Sequence, residues 1–382
     1  MKVCLIESNV NPPWIEGVRN SIYLHSKKLV ELNIEPIILT GLYRGLKAKE
    51  KIEGVTFNRI PVVSLTPRNN TGLYKSRIEG IIFTRMFHLK LWVWRKLEEL
   101  DNKYGFDIIH WFGHLDVLIN VSRSLCKRNI RKPFVLTLYG LFNSSPPFLR
   151  QLFRRFGHLY DFIICNDYEW CRFLDELGTP NAYVPDGIDV EKFKLYESSL
   201  RKKLDLKEDD LIILYFGSAK RLKGIDKLFE GIRKIIKVKL ILSIDDQVPT
   251  KYYPFIKKFK NDVKILPIFS DLPKLISISD IVIFPYIPIQ RAQPLSVLEA
   301  MACQKPIVTF ETKNLVDMIR DGNEGFLVEA WNYKKVAENV INLLSNEELR
   351  RRMGKRAREK VVKEYNINFI SRKVKDIYEK LV

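Results

Sequence analysis

Short apolar, β-branched runs alternate with longer amphipathic stretches from one end of the chain to the other. In the first half the runs fall at residues 3–6, 36–40, 55–60, 107–110, 134–139, 162–165 and 182–184, and residues 17–31 repeat their apolar positions at helical spacing. Such an alternation is the signature of parallel sheets covered by helices. Residues 191–210 interrupt it with a charged stretch that includes Arg201-Lys202-Lys203 and carries no buried-strand signal, so a linker is expected there. The alternation then restarts. Strands are predicted at 211–216, 239–243, 263–266, 281–286, 307–310 and 325–328, and helices near 225–236, 295–303, 333–344 and 347–363. The pattern predicts an α/β chain of two domains, 1–190 and 191–365. Doubly wound sheets bind ligands outside the carboxyl ends of their strands, so a cleft shared by the two sheets is the expected ligand site.

The segment Arg291 to Cys303 carries the most chemistry. It follows the strand expected at 281–286 and opens an amphipathic helix, whose free N–H groups form an anion site suited to a diphosphate. Pro294, Leu295 and Ser296 stand at its start. Glu299 is placed to accept hydrogen bonds from the vicinal hydroxyls of a ribose. Ser296 and Glu299 also spell S-x-x-E, a capping box in which the glutamate only satisfies a backbone N–H. Spacing leaves both readings open.

Three other stretches stand in order with this one. They are Pro12-Pro13-Trp14-Ile15-Glu16-Gly17-Val18, then Val184-Pro185-Asp186-Gly187-Ile188-Asp189, then Gly217 followed by Lys223-Gly224-Ile225-Asp226. Together with PLSVLEAMACQKPI at 294–307 they resemble glycosyltransferase family 4, a retaining family of GT-B fold, over essentially the whole chain. The resemblance implies two Rossmann-like domains facing a central cleft, with a last helix, 366–382, crossing back onto the first. It also implies transfer of a hexose from a nucleotide diphosphate sugar to an acceptor hydroxyl, with no cofactor beyond that co-substrate. Matching residues inherit roles: Glu299 at the nucleotide ribose, Lys223 at the diphosphate, and Gly17 where backbone approaches the donor phosphates. The stretch Asp186 to Asp189 matches a motif that is mainly a structural turn.

Three positions depart from the family's pattern. Arg291 stands where the first glutamate of E-x7-E is expected, Ser218 where an arginine follows Gly217, and Tyr139 where a histidine ends the strand. The main demand on the transfer is to stabilise the departing diphosphate, which fixed positive charge does. Lys223, with Lys220 and Arg221 in the same loop, is expected to supply it without a metal, Arg291 taking the phosphate role lost at Ser218. Tyr139 can hydrogen-bond a sugar hydroxyl but is a poorer proton carrier than histidine near neutral pH, and reads equally as a core aromatic. His110, Trp111 and His114 follow a strand at its carboxyl edge and are candidate acceptor contacts. With no third ligand nearby they predict no zinc site, and Asp209-Asp210 and Asp245-Asp246 lack the D-x-D spacing of metal-dependent transferases.

Composition adds the question of partners. A length of 382 residues at 46% hydrophobic content suits two domains with real cores, and five scattered cysteines without CxxC read as reduced thiols. Against 45 acidic residues stand 64 basic ones, a net charge of +19 that favours an acidic partner; with only five glutamines, part of it reads as thermal adaptation. Residues 80–96 and 147–160 mix Arg and Lys with Phe, Trp and Leu. They read either as elements that meet an anionic membrane surface or as helices whose apolar faces pack on the first sheet. No apolar run approaches the roughly 20 residues that span a bilayer, and Glu7 comes too early for a secretory signal. The expected place is cytoplasmic and peripheral at the inner face of the membrane. Its expected task is glycolipid, lipid-linked oligosaccharide or surface polysaccharide synthesis. Two other readings stand beside it: a catalytically silent relative that binds a nucleotide sugar as a scaffold, motivated by Tyr139, Ser218 and Arg291, and a glycosyltransferase acting on DNA, for which no nucleic-acid motif appears.

Overall fold

In the first half of the chain each apolar run becomes a strand, and all but the edge strand at 181–183 are largely buried on both faces. The computed structural model describes residues 1–382 apart from 8–9, 11–17, 43–44, 62–90, 114–131, 141, 143–146, 219–224, 245–247, 268, 270 and 285–293. The chain divides into two units, Met1–Gly187 with Ile367–Val382, and Ile188–Asn366. In the first, β1 (Lys2–Ile6), β2 (Glu35–Leu42), β3 (Lys49–Ile52), β4 (Val55–Pro61), β5 (Ile108–Gly113), β6 (Phe134–Leu138), β7 (Phe162–Cys165) and β8 (Asn181–Tyr183) form one sheet. Among the described residues its order is β3-β4-β2-β1-β5-β6-β7-β8, parallel except for β3, which pairs antiparallel with β4. β5 and β6 are buried at every position, which is why their sequences are continuously apolar.

Helices cover both faces of this sheet. α1 (Val18–Glu31) and the last helix (Ile367–Glu379) bury Ile22, Leu29, Val374 and Tyr378 against Phe112, Val135 and Tyr139. On the other face α2 (Leu91–Tyr104) and α3 (Pro147–Phe156) place Trp94 and Phe153 in a cluster with Trp111, Phe134 and Trp170. The described parts of the two basic segments therefore turn their apolar residues inward. Trp94, Phe153 and Tyr160 are core residues, whereas Arg154 and Arg155 stay exposed. Of the two readings of these segments, the packing of apolar faces on the first sheet describes Trp94, Phe153 and Tyr160; residues 80–90 lie outside the described residues. No helix among the described residues is long and apolar enough to cross a membrane.

Among the described residues the second unit is built on a six-stranded parallel sheet. β9 (Ile212–Gly217), β10 (Lys239–Ile244), β11 (Val263–Pro267), β12 (Ile281–Phe284), β13 (Ile307–Phe310) and β14 (Gly325–Val328) lie in the order β11-β10-β9-β12-β13-β14. The direction of winding reverses between β9 and β12, as it does between β1 and β5 in the first sheet. The stretch 191–210 is not a free linker. Its charges face out while Phe193, Leu200 and Leu206 are buried in the second core, and the Arg201 guanidinium donates to the carbonyls of Lys207, Asp210 and Ile278.

The two passages of chain between the units run side by side. The Ile188 N–H donates to the Tyr365 carbonyl at 2.8 Å, and at Gly187 a Cβ would lie 2.9 Å from the Ile367 Cα. Only glycine allows that approach.

Candidate active site

β9 ends on Gly217, whose φ of 133° is open to glycine and strained for any other residue. The chain turns there, and the Tyr215 hydroxyl fixes the turn by donating to the Ser218 carbonyl at 2.7 Å. β12 lies beside β9, with the Phe216 and Phe284 rings 5.3 Å apart. The strands that lead into the two motif segments therefore end next to each other at the switch point, where doubly wound sheets bind ligands. Beyond β12, α4 (Leu295–Ala302) begins with extended Pro294 as its N-cap. Starting at Leu295 puts Ser296 inside the first turn, so the capping box does not form and Glu299 is not consumed by it.

The Glu299 side chain is half-buried, and its carboxylate makes no hydrogen bond among the described residues. Burial pushes its pKa up to about 7, and the ammonium of exposed Lys192 pulls the other way. A partly desolvated carboxylate with unused acceptor capacity is what a ribose diol would satisfy. Lys192 was not a sequence candidate. It sits in the charged stretch far from Glu299 along the chain, and no spacing could have paired them. Lys220, Arg221, Lys223 and Arg291 lie outside the described residues, as do Gly17 and His114.

The first unit corrects three expectations. Trp111 is fully buried, its ring 5.9 Å from that of Trp94 and 6.4 Å from that of Phe134, so it has no surface to offer an acceptor. His110 is buried too. Its Nδ1 lies 2.5 Å from the Tyr378 hydroxyl, its Nε2 2.7 Å from the Thr137 hydroxyl, and its ring stacks on Phe112 with centroids 4.1 Å apart. Burial holds its pKa well below the ordinary value, with His25 adding to the effect. Both nitrogens are thus committed to the fold. Tyr139 belongs to the core at the end of β6, and burial, followed by the carboxyls of Asp186 and Glu7, drives its pKa well above 10. Burial keeps its phenol in the neutral form.

Sequence reasoning treated Asp186 as part of a turn. The structure shows it buried, accepting a hydrogen bond from the Ser21 hydroxyl at 2.7 Å, with a pKa pushed up to about 6 by desolvation. Among the described residues no group of three or more His, Cys, Asp and Glu side chains is placed to hold a metal ion.

Comparison with known proteins supplies the family. The model of Glycosyltransferase Family 4 matches residues 15–192, and that of Glycosyl transferases group 1 matches residues 197–360. The chain is 26% identical over 297 residues to N-acetyl-alpha-D-glucosaminyl L-malate synthase of Bacillus anthracis, covering 74% of this chain and 77% of that protein. It is also 26% identical over 243 residues to N,N'-diacetylbacillosaminyl-diphospho-undecaprenol alpha-1,3-N-acetylgalactosaminyltransferase of Campylobacter jejuni, covering 61% and 63%. Among solved structures, Anabaena HepE in complex with UDP superposes with a TM-score of 0.75 at 14% identity, over 100% of both chains. Two doubly wound sheets, motif segments at a switch point and two family models in tandem agree: the chain belongs to the family 4 type of glycosyltransferases and is an enzyme of GT-B fold.

Proposed function

We propose that this enzyme moves a hexose from a nucleotide diphosphate sugar to a hydroxyl of a sugar or lipid-linked acceptor, with retention and without a metal, in the assembly of glycolipids, lipid-linked oligosaccharides or surface polysaccharides. The observation that carries the reading is Glu299. Its carboxylate stands on the helix that opens beside the switch point, released from capping and unpartnered. In this reading it accepts from both ribose hydroxyls, and the diphosphate lies toward the N-terminus of α4. Lys220, Arg221 and Lys223 neutralise the charge that develops as the sugar–phosphate bond breaks, with Arg291 in the place of the lost Ser218 contact. Attack on the same face of the sugar brings the acceptor hydroxyl against the leaving phosphate oxygen. That oxygen takes the proton, so no protein base is required. The UDP of the Anabaena structure and the diphospho-undecaprenol in the Campylobacter relative's name support the donor and acceptor classes.

Thermal-shift measurements against UDP-, GDP- and ADP-sugars test the donor half, since a ligand at 100 times its Kd adds about 2.7 kcal/mol of stability. One nucleotide class is expected to raise Tm in the wild type and to fail in Glu299→Ala. Lys223→Ala is expected to abolish release of the nucleoside diphosphate, and Arg291→Ala to slow it. An unchanged rate in Arg291→Ala would remove that residue from the site.

A further inference from the structure

The first unit holds a half-open cavity of about 40 Å³ between α1, the ends of β5 and β6, the turn 184–187 and the last helix. Its polar wall is formed by Ser21, His25, His110, Thr137, Tyr139 and Asp186. Most of these groups bond to protein. Ser21 donates to Asp186, His25 Nδ1 lies 2.8 Å from the Ser371 hydroxyl, and both His110 nitrogens are taken by Tyr378 and Thr137. His25 Nε2 is buried and meets no hydrogen-bond partner among the described residues.

A neutral imidazole has one donor nitrogen and one acceptor nitrogen, so Nε2 needs a partner in either tautomer. Buried polar atoms without one are rare and costly. Water is the guest that fits. Each bound water needs about 10–15 Å³ and two to four polar partners, which gives room for about three or four here. An apolar guest would leave Nε2 unsatisfied, and a metal ion would need a ligand group that does not exist among the described residues.

We propose that this half-open cavity is a built hydration site, in which ordered water bonds the buried His25 Nε2 and joins it to the Asp186 and Tyr139 side of the wall. The chain leaves the first unit at Gly187 and returns at Ile367, and both residues line the cavity. Asp186 ties the outgoing passage to α1 through Ser21, and Ser371 ties the returning helix to α1 through His25. The water connects the two ties. Every lining residue belongs to the first unit, whereas Glu299 belongs to the second.

A high-resolution crystal structure of the full chain is expected to show water density within hydrogen-bonding distance of His25 Nε2. Val374→Ile adds one methylene to the cavity and keeps every donor and acceptor. In a hydrated cavity it displaces bound water without replacing its bonds, so Tm falls and the long-lived internal water counted by oxygen-17 magnetic relaxation dispersion decreases. In a dry cavity it fills a void, Tm rises and the water count stays unchanged. Density at Nε2 with a lower water count in the variant supports the proposal. Absence of that density, or an unchanged water count, overturns it.

Discussion

At Glu299 binding and stability pull in opposite directions. Its carboxyl is raised from an ordinary 4.5 to about 7 by burial, so the folded chain holds a proton that the unfolded chain has released. The stability this brings is fully present below pH 4.5 and is lost as pH rises through 7. Glu299→Gln removes the charge at nearly constant shape. It is expected to stabilise the protein at pH 8 by about 1–3 kcal/mol, a range discounted for a side chain only partly out of solvent, and not at pH 4.5. Thermal unfolding at the two pH values checks this. The same variant is expected to weaken donor binding about tenfold, since an amide oxygen accepts from a diol less strongly than a carboxylate. Gly187 makes a simpler case. A Cβ there would lie 2.7 Å from Ile367 Cδ1 as well as close to backbone, so Gly187→Ala is expected to cost about 1–3 kcal/mol, read from urea unfolding. As a candidate Glu299 was legible from a motif that follows a predicted strand; the freedom of its carboxylate was not, because one residue's difference in where α4 starts decides it.

The last helix is held to the first unit by two buried neutral histidines, and its acid sensitivity follows from them and from Asp186. His25 has a pKa lowered to about 4 by burial, so its contribution is fully present above its unfolded value near 6.5 and is lost as pH falls toward 4. Asp186 is raised to about 6, so its contribution is present below 3.8 and is lost as pH rises through 6. Between pH 6 and 4 the two slopes oppose each other. Among the described groups nearby, His110 adds to the acid sensitivity, Tyr139 and Tyr378 stay neutral, and Glu7 bears on Tyr139. Asp186→Asn removes the opposing slope. Relative to the wild type, its stability is expected to fall by about 2–3 kcal/mol between pH 7 and pH 4, measured by urea unfolding across that range. None of this was legible in the sequence, since Ser21 and Asp186 are 165 residues apart and His25 and Ser371 are 346 apart. The strands were legible because burial on both faces demands continuous apolar runs. β3 escaped for the converse reason: Lys49-Glu50-Lys51-Ile52 pairs on one side only, at the sheet's edge, where charge is tolerated.

For the whole molecule, the use of its +19 charge changes once the apolar residues are located. Amphipathic spacing in 147–160 was visible in the sequence, but only the sheet shows what its apolar side meets. Phe153 and Tyr160 are core residues, and Trp94 at the end of the other basic segment is buried with them. Insertion of these aromatics into a bilayer would require unpacking the first core. Among the described residues of 147–160, Arg154 and Arg155 are exposed, and the Arg150 and Arg154 guanidiniums lie over the Phe142 and Phe173 rings at 4.7 Å and 5.6 Å. A lipid-linked acceptor would then be approached through the electrostatic attraction of these exposed charges. Such attraction is screened as the Debye length falls from about 10 Å at 0.1 M salt to about 3 Å at 1 M. The expected outcome is binding to vesicles that contain anionic lipid, release at high salt, and no binding to zwitterionic vesicles. The double variant Arg154→Glu with Arg155→Glu is expected to weaken vesicle binding and to keep the donor-induced rise in Tm, because its charges lie in the first unit and Glu299 in the second. Salt-resistant binding, unchanged in the double variant, would show instead that the protein enters the bilayer through residues other than these.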